Sequence, residues 1–321
     1  VKKKVLIFGG SRFLGKALIK FIRENRKSWE LYSLTQQSKT SLVSENKSLL
    51  ADRRDRSSLE SSLKNLCFDF IFDLSSYFKE DLQISLDLMS ERAKSWIFVS
   101  SAGVYRPTKE FPFREESAKI DRLPHLGKLE CENLLKTYKN LHSVYLRPFY
   151  IYGEGNSFDR ESFFFRVISQ EQKIYLPENS KNTLLQLIEV SELARLIVEI
   201  AEIKDQSRTN QQAFNLGDQE IYTIESILET CAEILGKKHK IQYLSKEFLE
   251  KHNLGSRDIF PLRTDHYFGD LSKLNYLGLK TKLALREGLK KSFQYYSKNK
   301  EQYPDFVVQP KLEKVIRQKQ S

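Results

Sequence analysis

The chain has 321 residues, 40% of them hydrophobic, which suffices to bury a core and excludes wholesale disorder. Its 53 lysines and arginines against 42 acids leave a formal charge of +11, but the basic residues are interleaved with acids along the whole length, the pattern of a solvated surface more than of a nucleic-acid footprint. Three scattered cysteines (Cys67, Cys131, Cys231), five histidines without ligand spacing and no apolar run near the ~20 residues that span a bilayer set the expectation of a reducing, cytoplasmic setting with no metal and no membrane.

Residues 3–8, KKVLIF, read as a buried strand, and no signal-peptide pattern precedes it. Leu14, Ala17, Leu18, Phe21 and Ile22 then recur on one face of a helix. Between them lies GGSRFLG (9–15), a glycine-rich turn from strand to helix. Gly9 permits a sharp turn, Gly10 and Gly15 permit close approach of backbone to ligand and of helix to strand, and the first-turn N–H groups around Arg12, Phe13 and Leu14 suit a pyrophosphate. The alternative is a tight turn with no ligand. Arg12 stands where a glycine is expected, either to neutralise a phosphate or to cap the loop in solvent.

Strand and helix then alternate through ELYSL, SSLESSLKNL, FDFIFDL, KEDLQISLDLMSERA and SWIFVSS, which predicts a parallel sheet covered on both faces. After the second strand come Thr35, Gln36, Gln37, Ser38 and Lys39, with no acid to meet a ribose 2′-hydroxyl. Hydroxyls together with Lys39 and Arg12 suit a 2′-phosphate, so NADP is preferred over NAD; the alternative is that these are ordinary polar residues of a loop. Asp52, in ADRRD, either accepts from an adenine amino group or caps the next helix.

By FVSSAGVY (98–105) the order of motifs resembles an extended short-chain dehydrogenase/reductase of the NAD-dependent epimerase/dehydratase superfamily. GGSRFLG resembles its cofactor loop, DLSSY (73–77, with Leu74) the strand over the cofactor, SSAGVY its serine motif and HLGKLECENLL its active-site helix. LRPFYIYGEG, LIEVSELARLIVEIAE, AFNLGD and LSKLNYLGLK resemble later segments, so the likeness covers nearly the whole chain. It implies an α/β fold: a Rossmann doubly wound parallel sheet with a smaller α/β lobe covering a substrate. The division implied is 1–155 with 185–220 returning to it, 156–184 and 221–300 as the lobe, and 301–321 as a basic tail, frayed or docked. It also implies a small polar substrate such as a sugar nucleotide, and a homodimer through a four-helix contact.

In that family a tyrosine four residues before a lysine moves the proton, and the lysine holds the nicotinamide ribose. Residue by residue, Ser101 takes the substrate-orienting serine position and Lys128 the lysine, but Pro124 stands at the tyrosine. His125 either replaces it as acid–base group or is a solvated first-turn residue. Tyr105 and Tyr150 are other donors or packing aromatics. Arg12 and HLGK further resemble an atypical subgroup that includes the chloroplast stem-loop-binding proteins, which implies RNA as a second, less favoured partner. The cluster Arg160, Phe163, Phe164, Phe165 and Arg166 fits a buried helix face better than a base-stacking surface, and Arg263 falls where the family clamps a diphosphate.

Overall fold

The computed structural model describes residues 2–35, 47–121, 125–255 and 258–318. The chain begins with β1 (Lys4–Phe8), α1 (Phe13–Asn25), β2 (Glu30–Thr35), β3 (Lys47–Leu50), α2 (Arg56–Leu63), β4 (Phe68–Asp73) and α3 (Lys79–Met89). There follow β5 (Ala93–Val99), a 3-10 turn at Ala102–Val104, α4 (Leu126–Thr137) and β6 (His142–Pro148). Next come β7 (Tyr150–Tyr152), α5 (Glu161–Ser169), β8 (Lys173–Pro177), β9 (Leu184–Leu185), β10 (Leu187–Glu189), α6 (Val190–Ala201) and β11 (Gln212–Leu216). The last elements are β12 (Tyr222–Thr223), α7 (Ile224–Leu235), β13 (Lys240–Leu244), α8 (Lys246–Lys251), α9 (Ser272–Tyr276), α10 (Leu285–Lys298) and α11 (Pro310–Gln318). None of the described helices is long and apolar enough to cross a membrane.

Two compact units divide the chain. The first comprises 1–149, 190–217 and 269–281; the second takes 150–189, 218–268 and 282–321. Residues 269–281 thus belong with the sheet rather than with the lobe expected over 221–300.

The first unit holds one seven-stranded sheet in the order β11-β6-β5-β4-β1-β2-β3, every pair parallel. Strand order reverses between β1 and β4, so the loops leaving those two strands diverge and open a crevice at the carboxyl edge. Apolar residues dominate the central strands because both faces are covered. Leu6, Phe8, Ile71, Trp96, Phe98 and Tyr145 on one face pack against Leu59 and Leu63 of α2, Leu82, Leu86 and Met89 of α3, and Cys131 and Leu135 of α4. On the other side α1 packs along α6. This is the parallel sheet covered on both faces that the alternating sequence predicts, in the doubly wound Rossmann-like arrangement that the resemblance implies.

In the second unit β7 pairs with β10 and β8 with β13, both parallel, while α5, α7 and α10 pack together. Phe163, Phe164 and Phe165 are buried there, Phe164 stacked on Phe260 at 5.3 Å, so this cluster is core. The C-terminal segment is docked rather than frayed through α11: Leu312 is fully buried, and Lys311 Nζ donates to the Asn253 carbonyl and to Asp258.

Candidate functional site

The turn after β1 is shaped by what its glycines touch. Gly9 has φ +89°, which favours glycine, and a Cβ there would lie 2.9 Å from the Cβ of Ser75. A Cβ on Gly10 would lie 2.4 Å from Ser33 Oγ, and one on Gly15 only 2.1 Å from the Gly9 carbonyl oxygen. The helix start is therefore pressed onto the turn. The first bonds of α1 run from the N–H groups of Gly15 and Lys16 to the Arg12 carbonyl. The N–H groups of Arg12, Phe13 and Leu14 precede that ladder and call for an outside acceptor, the arrangement that suits a diphosphate. Leu14 is buried, and Phe13 is half-buried at φ +29°. The Arg12 side chain is exposed, does not cap the helix and meets no acceptor among the described residues.

Thr35 closes β2, and its carbonyl accepts the N–H of Ala51 at 3.1 Å, tying the exit of β2 to the loop after β3. Gln36, Gln37, Ser38 and Lys39, invoked for a 2′-phosphate, lie outside the described residues, as does Pro124. Asp52 forms a local turn: it accepts the Arg54 backbone N–H at 2.9 Å and pairs with the Arg54 guanidinium at 3.1 Å. The cap of α2 is Asp55, which accepts from the N–H groups of Ser57 and Ser58. Leu74 donates its N–H to the Phe8 carbonyl at 3.1 Å, directly beside the glycine turn.

Ser101, His125 and Lys128 converge beyond β5. Ser101 Oγ accepts the Gly103 N–H at 3.0 Å, capping the 3-10 turn and leaving its own proton to donate. A Cβ on Gly103 would fall 2.5 Å from His125 Nδ1 and 2.6 Å from two ring carbons, so the imidazole lies directly on the Gly103 backbone. His125 is the N-cap of α4 rather than a residue inside it. In the first turn of that helix Lys128 is buried, its Nζ donating to the Val99 carbonyl at 2.8 Å, 4.5 Å from the ring centre of Tyr77 and 4.9 Å from that of Phe98. Burial pushes its ammonium down to about 8, against the opposing pull of the Asp73 carboxylate.

The other tyrosines are occupied. Tyr105 is buried, donates to Asn215 Oδ1 at 2.5 Å and accepts from Arg147 at 3.2 Å, and burial pushes its phenol well above the ordinary range. Arg147, from the LRP motif, forks onto Glu132 of α4 at 2.9 and 2.5 Å, both nearly inaccessible. In the second unit Tyr150 is buried and accepts the Arg263 backbone N–H at 2.8 Å.

Two residues at this edge escaped the sequence reading. Asp73, fully buried at the end of β4, is forked by Arg53 at 3.0 and 3.1 Å. One signal was available: an aspartate ending the apolar run FDFIFD must meet a cation or pay for burial. Nothing in ADRRD says which of its two arginines turns inward.

Residues 5–217 match the model of the NAD dependent epimerase/dehydratase family. The chain is 30% identical over 307 residues to a protein of Arabidopsis thaliana named chloroplast stem-loop binding protein of 41 kDa b, covering 91% of this chain and 79% of that one. Among solved structures, dTDP-glucose 4,6-dehydratase from Bacillus anthracis in complex with NAD superposes with a TM-score of 0.74 at 15% identity, over 93% of this chain and 98% of that one. UDP-N-acetylglucosamine 4-epimerase from Methanobrevibacter ruminantium gives 0.74 at 20% identity, over 92% and 99%. At these identities the structural likeness shows the fold.

Proposed function

The chain belongs to the NAD dependent epimerase/dehydratase family, and on that premise we propose that it binds NADP, or NAD, and acts on a nucleotide sugar or similar small polar substrate with His125 in place of the family tyrosine. The observation that carries the reading is the His125 imidazole lying on Gly103, whose N–H is held by Ser101.

A bound dinucleotide would supply a hydride acceptor or donor at its nicotinamide ring. The N–H groups of Arg12, Phe13 and Leu14 would hold its diphosphate, and Lys128 its nicotinamide ribose hydroxyls. The Ser101 proton would orient a substrate oxygen, and His125 would accept or return the proton there. Arg12 would meet a 2′-phosphate, which underlies the preference for NADP.

Calorimetric titration with NADPH and NADH tests the binding half. Arg12→Ala should weaken NADPH about tenfold or more relative to NADH, whereas no heat with either dinucleotide overturns the reading. For the chemical half, His125→Ala should lower turnover of a nucleotide-sugar substrate about 10²–10⁴-fold while dinucleotide affinity stays. Wild-type turnover in that variant removes His125 from the mechanism.

A second reading has one observation behind it, the similarity to a protein named for stem-loop binding. It requires affinity for stem-loop RNA that falls steeply with salt as phosphate contacts release counterions. Failure to bind at low salt disposes of it.

A further inference from the structure

One guanidinium, on the loop after β3, ties together the end of β4, the loop that follows it and helix α3. Arg53 leaves the loop between β3 and α2 and passes over the ring of Phe8, its guanidinium carbon 4.5 Å from the ring centre. Its Nη1 donates to Asp73 Oδ1 and Ser75 Oγ, both at 3.0 Å; its Nη2 donates to Asp73 Oδ2 at 3.1 Å and Ser85 Oγ at 3.2 Å. Asp73 also accepts the N–H groups of Ser75 and Ser76 and the Ser76 hydroxyl. Ser75 is the residue that presses on Gly9. The Nε of Arg53 is buried and meets no partner among the described residues, so the fork and the two serines set its orientation.

Register places this assembly between the two ends of the site. Asp73 lies beside Phe8, the residue before the glycine turn, and beside Phe98, one of the two rings flanking Lys128. We propose that the Arg53–Asp73 pair is a clasp that positions the dinucleotide groove, holding the glycine turn against the loop after β4 and balancing the charge of Lys128. Arg53 and Asp73 are positioning residues in this scheme, which rests on the dinucleotide-binding reading given above.

The electrostatics are explicit. Lys128 faces Asp73 from β4, Arg53 from the loop after β3, the Tyr77 ring from the loop after β4, and Cys131 and Glu132 from its own helix. Asp73 itself stays ionised: burial opposes this, but the Arg53 charge and its hydrogen bonds hold the carboxyl below its usual range. Removing Asp73 leaves two buried cations facing each other, so Lys128 sheds its proton at lower pH. Removing Arg53 leaves the carboxylate to Lys128 alone, so the proton is held to higher pH. A clasp that only kept the loops folded would shift both variants the same way, toward an exposed lysine.

The test measures NADPH and NADH affinity across pH 6 to 10 for wild type, Arg53→Met, Asp73→Asn and the double variant, with thermal unfolding alongside. Both single variants should bind about tenfold or more weakly at pH 7. The pH at which binding falls should move down in Asp73→Asn and up in Arg53→Met, by about one unit each. The double variant, with no lone buried charge, should recover stability but not affinity. Shifts in the same direction, or a double variant that binds like wild type, overturn the clasp. Should a single variant fail to fold, the affinity of the double variant decides alone. A wild type that binds neither dinucleotide overturns the functional reading itself, whereas wild-type binding unaffected by these substitutions overturns only the clasp.

Discussion

Gly103 shows how little space separates structure from chemistry at this site. A methyl group there would enter the His125 ring at 2.5 Å, and the ring must swing away. Gly103→Ala should therefore reproduce the loss of turnover of His125→Ala while leaving dinucleotide affinity within about twofold; parallel kinetics and titration check it. Gly15 has no such escape, because its added carbon would meet the Gly9 carbonyl oxygen, which is backbone. Gly15→Ala should cost about 3 kcal/mol or more in denaturant unfolding. His142 reports on acid. Its ring is buried between Ser95 and Thr209, at 3.0 Å from each hydroxyl, and burial holds it below its ordinary 6.5. Because the folded state resists that proton, the stability His142 contributes is fully present above about pH 6.5 and is lost as pH falls below it. Urea midpoints at pH 7 and pH 5 should differ more in wild type than in His142→Asn. At this scale the glycines stand out by their place between a strand and a helix, whereas Ser101, His125 and Lys128 are singled out only by resemblance to the family's motifs. The sequence hid the pairing of Arg53 with Asp73, since a buried ion pair between a loop and a strand end leaves no local period.

Among the elements, β1, α1, β4, α3 and β5 were legible because each carries a clear apolar period. The strand β3, Lys47–Leu50, is largely exposed at the edge of the sheet, and its sequence lacks the apolar run that marks its neighbours. Pairs such as β7 with β10 and β8 with β13 join distant segments in the second unit, and their short strands show no repeat from which a partner could be read. The α4 helix is the most consequential element. Its N-cap is His125, its first turn holds Lys128, and its second holds Glu132, whose carboxylate anchors Arg147 at the end of β6. Glu132→Gln leaves that guanidinium buried without its counter-charge. We expect a loss of about 3–5 kcal/mol in unfolding free energy, and an accompanying fall in dinucleotide affinity because Lys128 rides on the same helix.

At the scale of the molecule, the fold class was readable because strand–helix alternation leaves few topologies for a parallel sheet. The composition of the first unit was not, since residues 269–281 carry no sign of which unit they will join. A ligand that binds only the native sheet must stabilise it by mass action. NADPH at one hundred times its dissociation constant should add about 2.7 kcal/mol and raise the melting point of the first unit by about 5–10 °C; an unmoved transition would contradict dinucleotide binding there. The order in which the chain is laid down has its own consequence. The strand β6 receives its outer neighbour β11 only after residues 149–211 have emerged. During synthesis the hydrogen-bonding groups along that flank of the nascent sheet stand open, inviting mispairing with other chains. Slow, chaperone-sensitive maturation is the expected result, with a ribosome-stalled fragment ending near residue 190 sticking to itself where one ending beyond about 255 does not.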